Sequence, residues 1–90
     1  MTQNELKTFR DLQIELKWAY ERARMDFANG FGVSVIRGDR SQGGAEGFWE
    51  VAVMKCDRIN YDTPITNDVI GWCTEEDVTN IMKQVQELKS

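Results

Sequence analysis

Residues 3–28 contain neither glycine nor proline, and this uninterrupted stretch constrains the fold more than any other feature of the sequence. Asn29-Gly30 follows it, the kind of stop signal expected just past a helix C-terminus. At 100° per residue, one broad face collects apolar side chains: Leu6, Phe9, Leu12, Leu16, Ala19, Tyr20, Ala23 and Phe27. The pattern predicts a long N-terminal helix over residues 3–28 whose apolar face packs on the core.

The back of this predicted helix carries a second apolar stripe, formed by Ile14, Trp18 and Met25. A domain of 90 residues has one core, so no further element is left to cover the stripe. We therefore expect a contact surface anchored by Trp18, most simply a homodimer in which the long helices pair. The alternative is a lone exposed Trp18 among charged residues, which is common on protein surfaces.

Two stretches after Gly30 have the alternation of strands. Residues 31–36 alternate apolar with small or polar side chains, and residues 48–55 are apolar on both faces, as in a central strand. Residues 37–47 between them hold four of the seven glycines and no large apolar side chain. We expect a flexible loop there that is mobile and dispensable for folding.

The stretch from Cys56 to Ile65 has two interpretations. Either a tight turn leads into a short strand at Ile59–Asp62 that ends before Pro64, or residues 56–66 form one wide loop. We favour the strand, because apolar and polar side chains alternate within it. Residues 68–73 predict the last strand.

The C-terminal segment has the signals of an amphipathic helix that begins after Thr74. Thr74 is suited to the N-cap, and acidic residues fill the first turn. Asp77 only approximates a capping box, which prefers Glu or Gln at that position. One apolar stripe follows: Val78, Ile81, Met82, Val85 and Leu88. The predicted fold class is α+β, in the order α-β-β-(β)-β-α, with a small antiparallel sheet of three or four strands and both helices packed on one face.

Two helices on one face leave the other face of such a sheet uncovered. Phe48, Ala52, Met54 and either Trp72 or Ile70 are then exposed, in a patch larger than soluble monomers usually display. Alternatively, the long loop or the twist of the strands covers them. The predicted interaction surface consists of Ile14, Trp18, Met25, Phe48, Met54 and Trp72.

The sequence contains no histidine, which removes the usual neutral-pH proton shuttle and the commonest metal ligand. Residues 43–47 are rich in glycine, but Phe48-Trp49 follows where a phosphate loop continues into a helix. We expect a protein that is not an enzyme, with no catalytic residue, cofactor or metal ion.

The net charge is −4, and the acidic excess lies in residues 57–90. Direct nucleic-acid binding requires a basic surface that this distribution lacks. Cys56 and Cys73 match neither a redox nor a zinc motif, so both are expected to be small apolar core or strand residues. The first residues include no apolar signal segment, which predicts a cytoplasmic location without membrane binding.

Two segments carry a family resemblance: Gly43-Gly-Ala-Glu-Gly-Phe-Trp-Glu-Val-Ala-Val53 and Tyr61-Asp-Thr-Pro-Ile-Thr-Asn-Asp-Val-Ile-Gly-Trp72. Over about a quarter of its length the chain resembles the small uncharacterised proteins carried in bacteriophage and prophage genomes. The resemblance implies the host cytoplasm as the setting and a role in binding a host or phage component. It carries over no catalytic residue.

Two functions of different classes remain. The favoured one is a non-enzymatic protein-binding module, a phage accessory protein whose partner is a protein and which also forms a homodimer. The alternative is a small-molecule or ion-binding domain that uses the glycine-rich loop and the turns between Asp57 and Asp68.

Overall fold

The computed structural model describes residues 6–56, 58–60, 65 and 69–88. The strands are β1 (Glu15–Leu16), β2 (Tyr20–Asp26), β3 (Phe31–Gly38), β4 (Trp49–Lys55), β5 (Arg58–Ile59) and β6 (Ile70–Cys73), and the helix is α1 (Glu75–Gln86). Short 3-10 helices span Phe9–Asp11 and Gly44–Glu46. The predicted α+β class is confirmed, but the described residues form mostly antiparallel sheet with one C-terminal α-helix.

The predicted helix over residues 3–28 is wrong, because residues 6–28 form β1, β2 and a short 3-10 helix. Apolar residues in this stretch also recur with a period of two, in two runs: Leu12, Ile14, Leu16, Trp18 and then Ala23, Met25, Phe27. In β2, Ala23 lies opposite Val35 and Met25 lies opposite Val33. A period of two is that of a strand, and it places Ala23 and Met25 opposite these valines. The predicted back stripe of a helix and the pairing of two long helices therefore do not exist.

Asn29-Gly30 belongs to a hairpin turn, and it ends no helix. The Phe27 N–H donates to the carbonyl oxygen of Phe31 at 2.7 Å, and the Gly30 N–H donates to that of Phe27 at 3.1 Å. Gly30 has a φ of +89°, which a glycine adopts without steric cost. A three-residue connection with a left-handed glycine is a common hairpin geometry, so the same dipeptide reverses the chain between β2 and β3.

The first four strands form an antiparallel meander in the order β1-β2-β3-β4. β3 and β4 confirm the strands predicted at residues 31–36 and 48–55. β5 and β6 both pair with the remaining edge of β4, β5 at Met54–Lys55 and β6 at Trp49 and Val51. Two short strands therefore share one edge, and β1 forms the other.

The short strand predicted at Ile59–Asp62 is represented by β5, which covers Arg58–Ile59, while residues 61 and 62 lie outside the described residues. The last predicted strand, residues 68–73, is represented by β6, and residue 68 lies outside the description.

The helix begins and packs as predicted. The Asp77 N–H donates to Thr74 Oγ1 at 3.1 Å, and the Thr74 N–H donates to Asp77 Oδ2 at 3.0 Å. Asp77 therefore completes a reciprocal capping box. The apolar stripe of α1 packs against the alternating valines of β3 and β4. The fully buried side chains of this core are Val33, Val35, Val51, Val53, Val78, Met82 and Val85.

On the sheet face away from α1, Ala52 and Met54 are each only 7% exposed. In the register, Met54 lies between Gly32 of β3 and Ile59 of β5. The predicted exposure of Ala52 and Met54 is therefore wrong. No helix among the described residues is long and apolar enough to cross a membrane.

Candidate interaction surface

The structure separates the six predicted surface residues into different environments. Ile14 and Trp18 lie together at the β1 edge, and both are exposed. Met25 packs against the core, and Met54 is buried. Phe48 and Trp72 contact each other at a different place on the surface.

The β1 edge also exposes Leu16, which the sequence analysis assigned to the core. Leu16 is 84% exposed and Trp18 is 100% exposed, and Ile14 adds partly exposed apolar surface beside them. Ile14 and Leu16 occupy alternate positions, so in an extended chain they share one face, and Trp18 follows in the turn. The alternation of residues 12–18 was the signal for this strand, and the helical periodicity concealed it.

A tight turn holds Trp18 at the end of the β1–β2 hairpin. The Lys17 N–H donates to the carbonyl oxygen of Tyr20 at 2.7 Å, which leaves Trp18 and Ala19 as the connecting residues. On the opposite face of β1, Glu15 Oε1 lies 3.4 Å from Lys17 Nζ and 3.9 Å from Arg22 Nη2. The edge therefore presents apolar side chains on one face and one acidic and two basic side chains on the other.

Next to β1, the charged pair of Glu21 on β2 and Arg37 on β3 contacts the aromatic side chain of Trp49 on β4. Arg37 Nε and Nη2 donate to Glu21 Oε1 at 2.9 and 2.7 Å. The Arg37 guanidinium carbon lies 4.3 Å from the ring centroid of Trp49, a distance that permits a cation–π interaction. Phe9 packs edge-on against Trp49, with ring centroids 5.4 Å apart. These contacts connect the strands next to the exposed edge to the core.

The glycine-rich loop, which the sequence predicts to be mobile and dispensable for folding, is hydrogen-bonded to the sheet. The Trp72 N–H donates to the carbonyl oxygen of Gln42 at 3.1 Å, and the Gln42 N–H donates to Glu50 Oε1 at 2.8 Å. Gly43 is buried against Phe48 and Trp72. The loop therefore packs on β4 and β6.

The same loop does not form a phosphate cradle. The N–H groups of Gly44, Glu46, Gly47 and Phe48 all donate to carbonyl oxygens within residues 41–44. Backbone donors used in this way do not converge on an anion. The far side of the loop instead lines a groove of about 360 Å³ together with Leu16, Trp18 and Tyr20.

Phe48 and Trp72 form a second exposed apolar site, on the other side of the loop. Their ring centroids are 5.7 Å apart, and Trp72 is 59% exposed. Trp72 has a φ of +58°, within an irregularity in the pairing of β6 with β4. A left-handed backbone is strained for a bulky residue, and the hydrogen bond to Gln42 holds it there.

Both cysteines are free thiols, and their environments differ. Cys73 is buried, as predicted, and burial, with a smaller contribution from the charge of Asp77, raises the pKa of its thiol to about 11. The prediction of a core or strand position is wrong for Cys56, which is exposed and lies in a turn just after β4.

Among the residues that the structure describes, no group of three or more Cys, Asp or Glu side chains is placed to hold a metal ion. Asp57, Asp62 and Asp68, the carboxylates considered for an ion site, lie outside the described residues. No protein-family model, curated protein or solved structure matches the chain.

Proposed function

We propose that this protein is a non-enzymatic protein-binding module that uses the outer edge of β1. The observation that carries the proposal is the exposure of Leu16 and Trp18, 84% and 100%, on a strand at the end of the sheet. Burial of a leucine side chain contributes roughly 1.5–3 kcal/mol, and a tryptophan offers more apolar area. Covering both side chains therefore favours association.

The backbone of the edge supports the same function. Within the described part of the chain, β1 pairs with β2 on one side and with nothing on the other. An unpaired edge presents N–H and C=O groups to any strand that approaches, and many domains bind extended segments in this way. Here the edge offers hydrogen bonds and apolar side chains to one partner at once.

The strands next to the β1 edge are fixed by side-chain contacts within the chain itself. Arg37 joins Glu21 on β2 to Trp49 on β4, and its Nη1 donates to the carbonyl oxygen of Gly47 at 3.3 Å. These contacts connect β2, β3, β4 and the glycine-rich loop around the groove beside Trp18. A preorganised surface loses less conformational entropy on binding.

The resemblance to phage proteins suggests a biological setting for this activity. In that setting the protein is a phage accessory protein that binds a host or phage component in the host cytoplasm.

Site-directed photo-crosslinking tests the proposed function. A photo-crosslinking amino acid replaces Trp18 in the full chain, in cells of the organism that encodes it, and the matched control carries it in place of Lys83, an exposed residue of α1. We expect a discrete crosslinked protein from position 18 and not from position 83, lost when Leu16→Glu is added. Equal patterns from both positions, or none from position 18, contradict a binding surface at β1.

A further inference from the structure

We propose that β1 pairs with β1 of a second copy of this chain, antiparallel, about a two-fold axis at Leu16. The inference rests on the proposed function of the β1 edge as a protein-binding surface, and it identifies the partner. Its basis is the order of residue types in Ile14-Glu15-Leu16-Lys17-Trp18. This order is apolar, acidic, apolar, basic, apolar, and such a segment is complementary to itself when two copies run antiparallel.

The backbone of Leu16 is oriented for this pairing. Leu16 lies opposite Glu21 in the β1–β2 register, and the next residue, Lys17, donates its N–H to the carbonyl oxygen of Tyr20 at 2.7 Å. Hydrogen-bonded and non-hydrogen-bonded pairs alternate along antiparallel strands. The N–H and C=O of Leu16 therefore point away from β2, and two copies can exchange two hydrogen bonds there.

The charges on one face complement each other in this register. With Leu16 on an axis perpendicular to the sheet, Glu15 of each copy lies opposite Lys17 of the other. Within one chain Glu15 and Lys17 already share this face, since Oε1 and Nζ are 3.4 Å apart. Opposite charges directly across two strands stabilise the pair, and like charges destabilise it. The axis generates two such ion pairs.

The apolar side chains meet on the other face. Leu16 lies opposite Leu16 of the second copy, and Ile14 of each copy lies at the end of the pair where the turn of the other copy carries Trp18. The fully exposed indole of Trp18 thereby gains an apolar neighbour. Aromatic side chains at the centre of an interface commonly contribute most of its affinity.

Neighbouring registers lack this complementarity. An axis at Glu15 places the two Glu15 side chains opposite each other, and an axis at Lys17 does the same with the lysines. An axis at Ile14 requires Leu12 to pair at the edge, whereas Leu12 is buried in the core. The register centred on Leu16 is therefore the one that the edge specifies.

A charge-exchange experiment tests this register by sedimentation equilibrium of the full chain at tens of micromolar. Glu15→Lys and Lys17→Glu each place like charges opposite each other at both symmetric positions. We expect either variant alone to dimerise roughly tenfold more weakly than wild type. An equimolar mixture of the two variants restores opposite charges, so it should form a heterodimer of nearly wild-type affinity. Recovery of dimerisation in the mixture also shows that both variants are folded.

Lys83→Glu on α1 and Glu87→Lys at its C-cap are the matched controls, because they make the same charge changes away from β1. Both should leave dimerisation unchanged. A wild type that stays monomeric at hundreds of micromolar overturns self-pairing, while a crosslink from position 18 to a foreign protein would still support the proposed function. A wild-type dimer that neither β1 charge variant weakens, or whose two variants fail to associate when mixed, overturns the register.

Discussion

The side-chain amide nitrogen of Asn29 lies 2.9 Å from the carbonyl oxygen of Val85, which joins the β2–β3 hairpin to the C-terminal end of α1. The same nitrogen donates to the carbonyl oxygens of Gln86 at 3.2 Å and Leu88 at 2.9 Å. Asn29 Oδ1 accepts from the Phe31 N–H at 3.0 Å. One turn residue thus satisfies carbonyl groups that a helix terminus leaves without intrahelical partners.

Asn29→Ala should lower the free energy of unfolding by about 1–3 kcal/mol, because part-buried carbonyl groups at the end of α1 lose the Asn29 donor. Urea denaturation measures this as a lower midpoint with an unchanged slope. The matched control is Asn80→Ala, an exposed position on α1, where alanine has the higher helix propensity and stability should not fall. Equal effects of the two substitutions would show that Asn29 does not act as a cap.

Gly43→Ala and Gly47→Ala separate backbone strain from packing. Both glycines have a positive φ, +83° and +87°, so each substitution forces alanine into the left-handed region. A Cβ at Gly43 would come within 2.9 Å of the Trp72 ring, whereas one at Gly47 meets nothing within 4 Å. Gly43→Ala should therefore cost about 1–3 kcal/mol more than Gly47→Ala in thermal unfolding. Equal losses would show that the loop does not pack on Trp72.

Arg37→Lys should lower stability by roughly 1 kcal/mol, because lysine cannot both donate twice to Glu21 and stack flat on Trp49. Thermal unfolding followed by tryptophan fluorescence measures the effect. Arg10→Lys is the control, since Arg10 is exposed, and it should leave the midpoint unchanged. A midpoint for Arg37→Lys that equals the wild type would contradict a stabilising role for the stack.

Cys73 should make the fold less stable at alkaline pH. The folded thiol has a pKa of about 11, against an ordinary value of 9.0. Between these values the unfolded chain has lost a proton that the folded chain keeps, so the free energy of unfolding falls as pH rises from about 9 to about 11. The contribution is fully present below pH 9.0. Cys73→Ala should remove this part of the pH dependence, and Cys56→Ala should retain it.

Part of the fold was predictable because its signals are local. The alternation in residues 31–36 and 48–55 and the N-cap at Thr74 each involve side chains only a few positions apart. The structure confirms β3, β4 and α1 with small shifts of their ends. For the candidate surface, Trp18 and Ile14 were identified, but through a helix that the chain does not form.

Residues 12–27 show where local signals were insufficient. Their apolar positions satisfy a period of 3.6 and a period of two, and Asn29-Gly30 suits both a helix end and a hairpin. The strand arrangement brings Ala23 and Met25 opposite valines of β3, and backbone hydrogen bonds to β3 accompany that contact. A single segment examined alone carries no information about such a partner.

The sequence by itself determined the two central strands, the C-terminal helix and the apolar stripe that packs it, because side-chain spacing and capping depend on neighbours along the chain. Only the tertiary structure decided that residues 15–16 and 20–26 form strands, that Ala52 and Met54 are buried and that Leu16 is exposed. Exposure of an apolar side chain depends on which strand lies at the edge of the sheet. The order of strands in the sheet depends on pairing between distant segments of the chain. The spacing of apolar residues within one segment does not determine it.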